Sequence, residues 1–161
     1  MKIMRSSPED ATSPIVLIRL MVGGVFLLEG LLKFVYPHEL AAGRFAMIGI
    51  PAPGFLGPFV GVVETVCGVL VLVGLLTRLA AIPLLIDISM AILTTKLPIM
   101  LGHGFLTFTL AKLPHYGVLS MLHEARTDLS MWLGLVFLII VGPGRWSFDW
   151  LRAGTRESKS S

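Results

Sequence analysis

The stretch that decides the fold is Gly57–Arg78, GPFVGVVETVCGVLVLVGLLTR, an apolar run broken by one carboxylate, Glu64. About 20 residues wound as an α-helix, at about 1.5 Å each, match a hydrocarbon core of roughly 30 Å, so this run is long enough to cross a bilayer. Gly57, Gly61, Glu64 and Gly68 follow one another at spacings of four, three and four, which sets them on one helix face. Glycines there let another backbone come close. The carboxylate therefore points at a neighbouring helix. An acid at lipid depth costs a few kcal/mol unless it is paired, protonated or wetted, so Glu64 marks a functional site and calls for a partner elsewhere in the chain.

Composition agrees with lipid as the solvent. Of 161 residues 55% are hydrophobic and 14% charged, and the mean hydropathy is +0.85, above what the surface of a soluble domain tolerates. A net charge of +3 and a pI near 9.4 would suggest nucleic acid only if the basic residues formed a stripe; here they punctuate the ends of apolar runs. Nucleic-acid binding is excluded on that ground. Cys67 is the sole cysteine, which rules out an internal disulfide, a Cys-x-x-Cys redox pair and a thiolate zinc site within one chain.

Working outward, the fold expected is all-α: one membrane domain over residues 1–161, with four transmembrane helices at about 15–36, 57–76, 79–99 and 126–142. Polar tails cover 1–13 and 145–161. Ser13 caps the first helix and Pro14 fits its first turn. No small-x-small cleavage site follows Leu28, so this first helix reads as retained. It carries Arg19, Glu29 and Lys33, and Glu29 and Lys33 at i and i+4 can form an intrahelical ion pair. Residues 37–58, rich in Pro and Gly, read as a structured loop, apolar from Ile48 to Phe59. Only Thr77 and Arg78 separate the second and third helices, which makes them antiparallel neighbours. Residues 98–124 are apolar but broken by Gly102, Gly104, Pro114 and Gly117; pieces of this length suit an interfacial or re-entrant hairpin. Pro143 and Gly144 stop the fourth helix.

Lys2, Arg5, Arg78, Arg145, Arg152, Arg156 and Lys159 fall on the tails and the short link, whereas the two long loops hold clearly only Arg44 and Lys112. The positive-inside rule then places both termini in the cytoplasm and both long loops outside a bacterial-type inner membrane. With that orientation, Glu29, Lys33, Glu64, Lys96, Arg126 and Asp128 share one layer in the outer half of the bundle. Three acids and three bases facing inward leave it near neutral. Arg19 and Asp87 lie deeper and are expected to form a second pair. Two readings of the polar layer stand: a clamp that fixes helix register, or a ligand or proton site.

Other features read more plainly. Cys67, one turn beyond Glu64, reads as a small buried hydrophobe, with a thiol acting on persulfide or quinone as the sharper alternative. His103, His115 and His123 are the weak metal candidates, but spacings of 12 and 8 match no short ligand motif, so no metal is expected.

Three segments carry a family resemblance: Arg19–Phe34 (RLMVGGVFLLEGLLKF), Glu64–Arg78 (ETVCGVLVLVGLLTR) and Arg126–Asp149 (RTDLSMWLGLVFLIIVGPGRWSFD). Their pattern of Gly, charged and apolar residues resembles the DoxX family of four-helix membrane proteins, with Arg19, Glu29, Lys33 and Glu64 at its recurring polar positions. Family members include membrane subunits of thiosulfate:quinone oxidoreductases and membrane partners of superoxide dismutase and sulfurtransferases. The resemblance thus implies a role beside thiol or sulfur redox chemistry; the cofactor stays open with quinone as the candidate, and a soluble redox or sulfur-transfer protein is the candidate partner. It carries over no catalytic residue, and no cofactor motif is visible, so any oxidoreductase activity would be that of a subunit. Two further classes remain: a scaffold recruiting soluble partners, compatible with a homo-oligomer, and a small carrier cycling protons on Glu64 and Asp87.

Overall fold

The computed structural model describes residues 14–149 and residue 151. The amino tail, with Lys2, Arg5 and the expected cap Ser13, lies outside them, as do Arg152, Arg156 and Lys159. The described chain is helical: α1 (Ile15–Val35), α2 (Pro37–Leu40), α3 (Ala42–Ile48), α4 (Pro53–Val73), α5 (Thr77–Ala91), a π-helical segment Ile92–Lys96, α6 (Leu97–Leu101) and α7 (Val118–Val141). Among the described residues there is no strand, only an isolated bridge between Phe105 and Phe108.

Three helical rods are long and apolar enough to cross a membrane: Ile15–Val35, Pro53–Val73 and the continuous Thr77–Leu101. The fourth long helix, α7, has 24 residues but carries Glu124, Arg126 and Asp128 in its first half. Leu17, Phe59, Val66, Ile86, Leu133 and Ile140 are all about half exposed or more, the outward face such helices turn to lipid.

The helix bounds differ from the expected ones for local reasons. α4 begins at Pro53 rather than Gly57, because Pro53 sits where a missing N–H does no harm; Pro58 lies inside the helix and leaves the Gly54 carbonyl without its helical N–H. It ends at Val73 because Gly74 turns left-handed (φ 72°) and its N–H closes back on Leu70 and Val71. Thr77 and Arg78 are then not a link but the first turn of α5. The expected hairpin at 98–124 is shortened from both sides: the π-segment carries the third rod on to Leu101, and Gly117 (φ 117°) starts α7 at Val118, not Arg126. What remains non-helical is 102–117.

α1 and α4 pack most closely, α4 lies against α5, α5 against α7, and α7 returns to α1. Small residues set the α1–α4 distance. A methyl group at Gly23 would meet the Gly68 carbonyl oxygen at 2.8 Å, and one at Gly30 would meet the Thr65 backbone nitrogen at 2.6 Å. In lipid such contact, rather than escape from water, holds helices together. The apolar core gathers Val22 and Phe26 of α1, Val71 of α4, Ala81, Leu84 and Ile88 of α5, and Met131, Leu135 and Leu138 of α7.

Candidate functional site

The stripe of side chains that α1 turns inward begins Ile15, Arg19, Val22, Phe26, all buried, and continues at the same spacing with Glu29 and Lys33. On α7 the buried positions Leu138, Leu135 and Met131 lead back to Asp128. On α5 Ala80 and Leu84 lead to Asp87. Apart from Arg19, Thr77 and Ser147, the interior is apolar in the half near the chain ends, and the half near the loops carries the acid–base groups. Sealing changes with it: Val22, Leu84, Leu135 and Leu138 are fully buried, whereas Glu29, on the same stripe as Val22, is exposed. On the loop side, then, α1 exposes a charged residue on the face that is sealed lower down.

Glu64 is the centre of this polar half. Its carboxyl, on a residue 4% exposed, takes a hydrogen bond from Lys33 Nζ at 2.5 Å across the α1–α4 seam. Asp87 of α5 comes up on its other side, near enough for the two carboxyls to act on each other, and Glu29 acts on Asp87 through space. Two carboxyl groups bond each other only through a proton on one of them, because an ionised carboxylate accepts and does not donate. Lys96, at the end of the π-segment, pairs with Asp128 of α7 at 3.2 Å. The wider turn of the π-segment re-aims the residues after it, and such segments recur at working sites. Trp132 Nε1 donates to Ser89 Oγ at 3.1 Å, closing the α5–α7 seam beneath that pair.

Three expected contacts are replaced. Lys33 reaches across to Glu64 and not along its own helix to Glu29, which stays exposed. Arg126 is exposed and donates to the His123 carbonyl of its own turn at 2.7 Å, so it does not join the layer. Arg19 does not meet Asp87. It lies four residues into α1, level with the end of α4, whereas Asp87 lies ten residues into α5, level with Glu64.

Arg19 is instead the hub of the opposite end. It is 2% exposed and donates from Nε to Val71 O (2.9 Å), from Nη2 to Leu72 O (2.6 Å), and from Nη1 to Pro143 O (3.2 Å) and Trp146 O (2.5 Å). The Leu72 carbonyl is one that the end of α4 leaves unmet, and the Val71 carbonyl takes Arg19 in addition to the Gly74 N–H. Gly74 has to be glycine here: beyond its left-handed φ, a methyl group would sit 2.5 Å from the guanidinium. Asp149 completes the knot. Its carboxylate accepts the N–H groups of Leu76 (2.8 Å) and Thr77 (3.1 Å) at the start of α5, and its own N–H donates to Gly74 O. Sequence reasoning missed Asp149. The available signal was that α5 starts after Leu75 and Leu76 with no capping side chain of its own, so its cap had to be borrowed.

Cys67 sits at an apolar groove of about 320 Å³ with Leu70, Leu79, Ile82 and Pro83, surroundings with no base to activate a thiol. His103, His115 and His123 are exposed, and His103 Nδ1 lies 2.8 Å from the Gly104 carbonyl. Among the described residues no three metal-ligating side chains converge.

Apolar spanning rods around a buried acid–base cluster define a helical membrane protein with an intramembrane polar site. The comparisons sharpen that class. The DoxX family model matches residues 15–97, which include α1, α4, α5 and the Lys33–Glu64–Asp87 contact. The chain is 56% identical over 135 residues to the uncharacterized membrane protein Rv3486 of Mycobacterium tuberculosis, an alignment that covers 84% of this chain and 78% of that one. The chain belongs to the DoxX family. No solved structure matches it.

Proposed function

We propose that this protein is the membrane subunit of a redox assembly working on thiol or sulfur compounds, with four spans and both termini in the cytoplasm. In this reading the polar site on α1, α4 and α5 exchanges protons and holds the head group of a quinone, while a soluble partner carries the electrons. One observation carries the proposal: between spanning helices the buried Glu64 bonds a cation, Lys33, and has a second carboxyl, Asp87, beside it. A register clamp needs only the first contact. The second adds a proton that can be given or taken without leaving a bare charge behind.

The residues suit a quinone head group. Its ring carbonyls accept hydrogen bonds, and Lys33 Nζ and the proton between Glu64 and Asp87 are donors. When bound, the quinone would supply the electron-accepting ring. The chain's own residues orient that head group and move a proton at the Glu64 carboxyl. α7 supplies the fourth span: its charged first half lies at the loop-side interface, where Asp128 meets Lys96. The Arg78 and Arg145 end faces the cytoplasm by the positive-inside rule.

The test is purification from native membranes in mild detergent, with bound quinone and soluble proteins identified. The wild type is expected to retain both, and Glu64→Gln to insert and elute normally but lose the quinone. A Glu64→Gln protein that keeps quinone and partner in full would leave the clamp as the role of this cluster.

A further inference from the structure

Glu29, in the polar half, is exposed, whereas the other half is closed by packed side chains and by a charge. Between Glu29 and the end of the bundle bearing Asp149 stand two successive barriers. The first is the packed layer of Val22, Phe26, Leu84 and Leu135, each 0–3% exposed. The second is the Arg19 guanidinium, about 15 Å from Glu29 along α1 by helical rise, held by four main-chain carbonyl contacts on α4 and on the segment after α7. A salt bridge alone does not require such a mounting. A guanidinium fixed on carbonyls from two separate segments keeps its positive charge at one point of the bundle axis. A fixed positive charge repels protons and cations, and some pores use one to conduct neutral solutes and no protons.

We infer that Arg19 is the proton barrier of a one-sided site: Glu29, Lys33, Glu64 and Asp87 exchange protons with water on the loop side alone, and Arg19 stops those protons from leaking through to the other side. A proton taken by the Glu64–Asp87 pair comes from loop-side water and returns there or to a bound ligand. The cycle moves no net charge across the membrane. This deepens the reading of the polar site given above and rests on it, but its test needs neither quinone nor a partner protein.

The full chain is reconstituted into liposomes holding a pH-sensitive dye, and a potassium diffusion potential drives proton entry. Wild-type vesicles are expected to match protein-free vesicles, and Arg19→Gln to raise the proton rate about tenfold or more. Adding Glu64→Gln to Arg19→Gln should abolish the leak. Sidedness is read separately: Glu29→Cys in a Cys67→Ala background should react with a membrane-impermeant maleimide in vesicles of one orientation and not in inverted ones. A leaking wild type, a silent Arg19→Gln protein that elutes and labels normally, or Glu29→Cys labelling from both sides overturns the inference. If Arg19→Gln does not fold, Leu84→Ser opens the apolar layer and leaves the guanidinium in place. The charge barrier then predicts no leak, and a leak would assign the seal to the apolar layer and not to Arg19.

Discussion

Gly30→Ala tests whether the α1–α4 seam positions the polar site. The added methyl would meet the Thr65 backbone nitrogen at 2.6 Å and the Gly61 carbonyl oxygen at 2.8 Å, where ordinary contact begins at 3.4 Å. Backbone atoms cannot rotate aside, so the two helices must separate by about 0.8 Å at this level. Overpacking of this kind costs about 1–3 kcal/mol. Lys33 lies three residues further along α1, so the same displacement stretches its 2.5 Å bond to Glu64 beyond good hydrogen-bond length. Gly24→Ala is the matched control: it adds the same methyl to the same helix, with nothing within 4 Å, and replacing helical Gly should stabilise by about 1 kcal/mol or less. The assay is unfolding in mixed micelles of rising SDS fraction, followed by circular dichroism. Equal stability for the two variants would refute the claim that α1 and α4 are in backbone contact through these glycines.

Removing Lys33 alone as Lys33→Met leaves Glu64 buried without its cation and should cost about 3–5 kcal/mol, most of it recovered in Lys33→Met/Glu64→Gln; the same denaturation assay measures both. The Lys96–Asp128 pair is more open, with side chains 15% and 23% exposed, and a double-mutant cycle there should give about 1 kcal/mol or less. Asp149→Ala deprives Leu76 and Thr77 of their acceptor and should cost about 0.5–2 kcal/mol, with faster proteolysis after Arg145 as a second readout. Thr77 Oγ1 is buried and has no partner among the described residues, so Thr77→Val should leave stability unchanged or raise it, as read from the thermal midpoint.

Much of this was legible in the chain itself, and the failures have simple causes. The Gly57, Gly61, Glu64, Gly68 spacing identified a face that does meet another helix, because close approach of backbones is encoded directly by missing side chains. Partner choice was harder. Glu29 and Lys33 satisfy the i, i+4 rule, yet a long lysine chain has more than one carboxylate in reach, and the buried Glu64 has the greater need of it. Pairing Arg19 with Asp87 failed through depth: at about 1.5 Å per residue, four and ten residues from the same end differ by about 9 Å. Hydropathy also concealed the early start of α7, since His123, Glu124 and Arg126 lower the signal without preventing a helix.

The Lys33–Glu64 bond joins residues 31 apart, which has a consequence for biogenesis. At about 5–20 residues per second, α1 emerges from the ribosome roughly 2–6 s before its counter-ion is made. During that interval the nascent helix holds a lysine with no carboxylate from α4 to meet it. A chain cut short before Pro53 should therefore slip from the insertion machinery or be degraded, and supplying α4 as a separate polypeptide should rescue it.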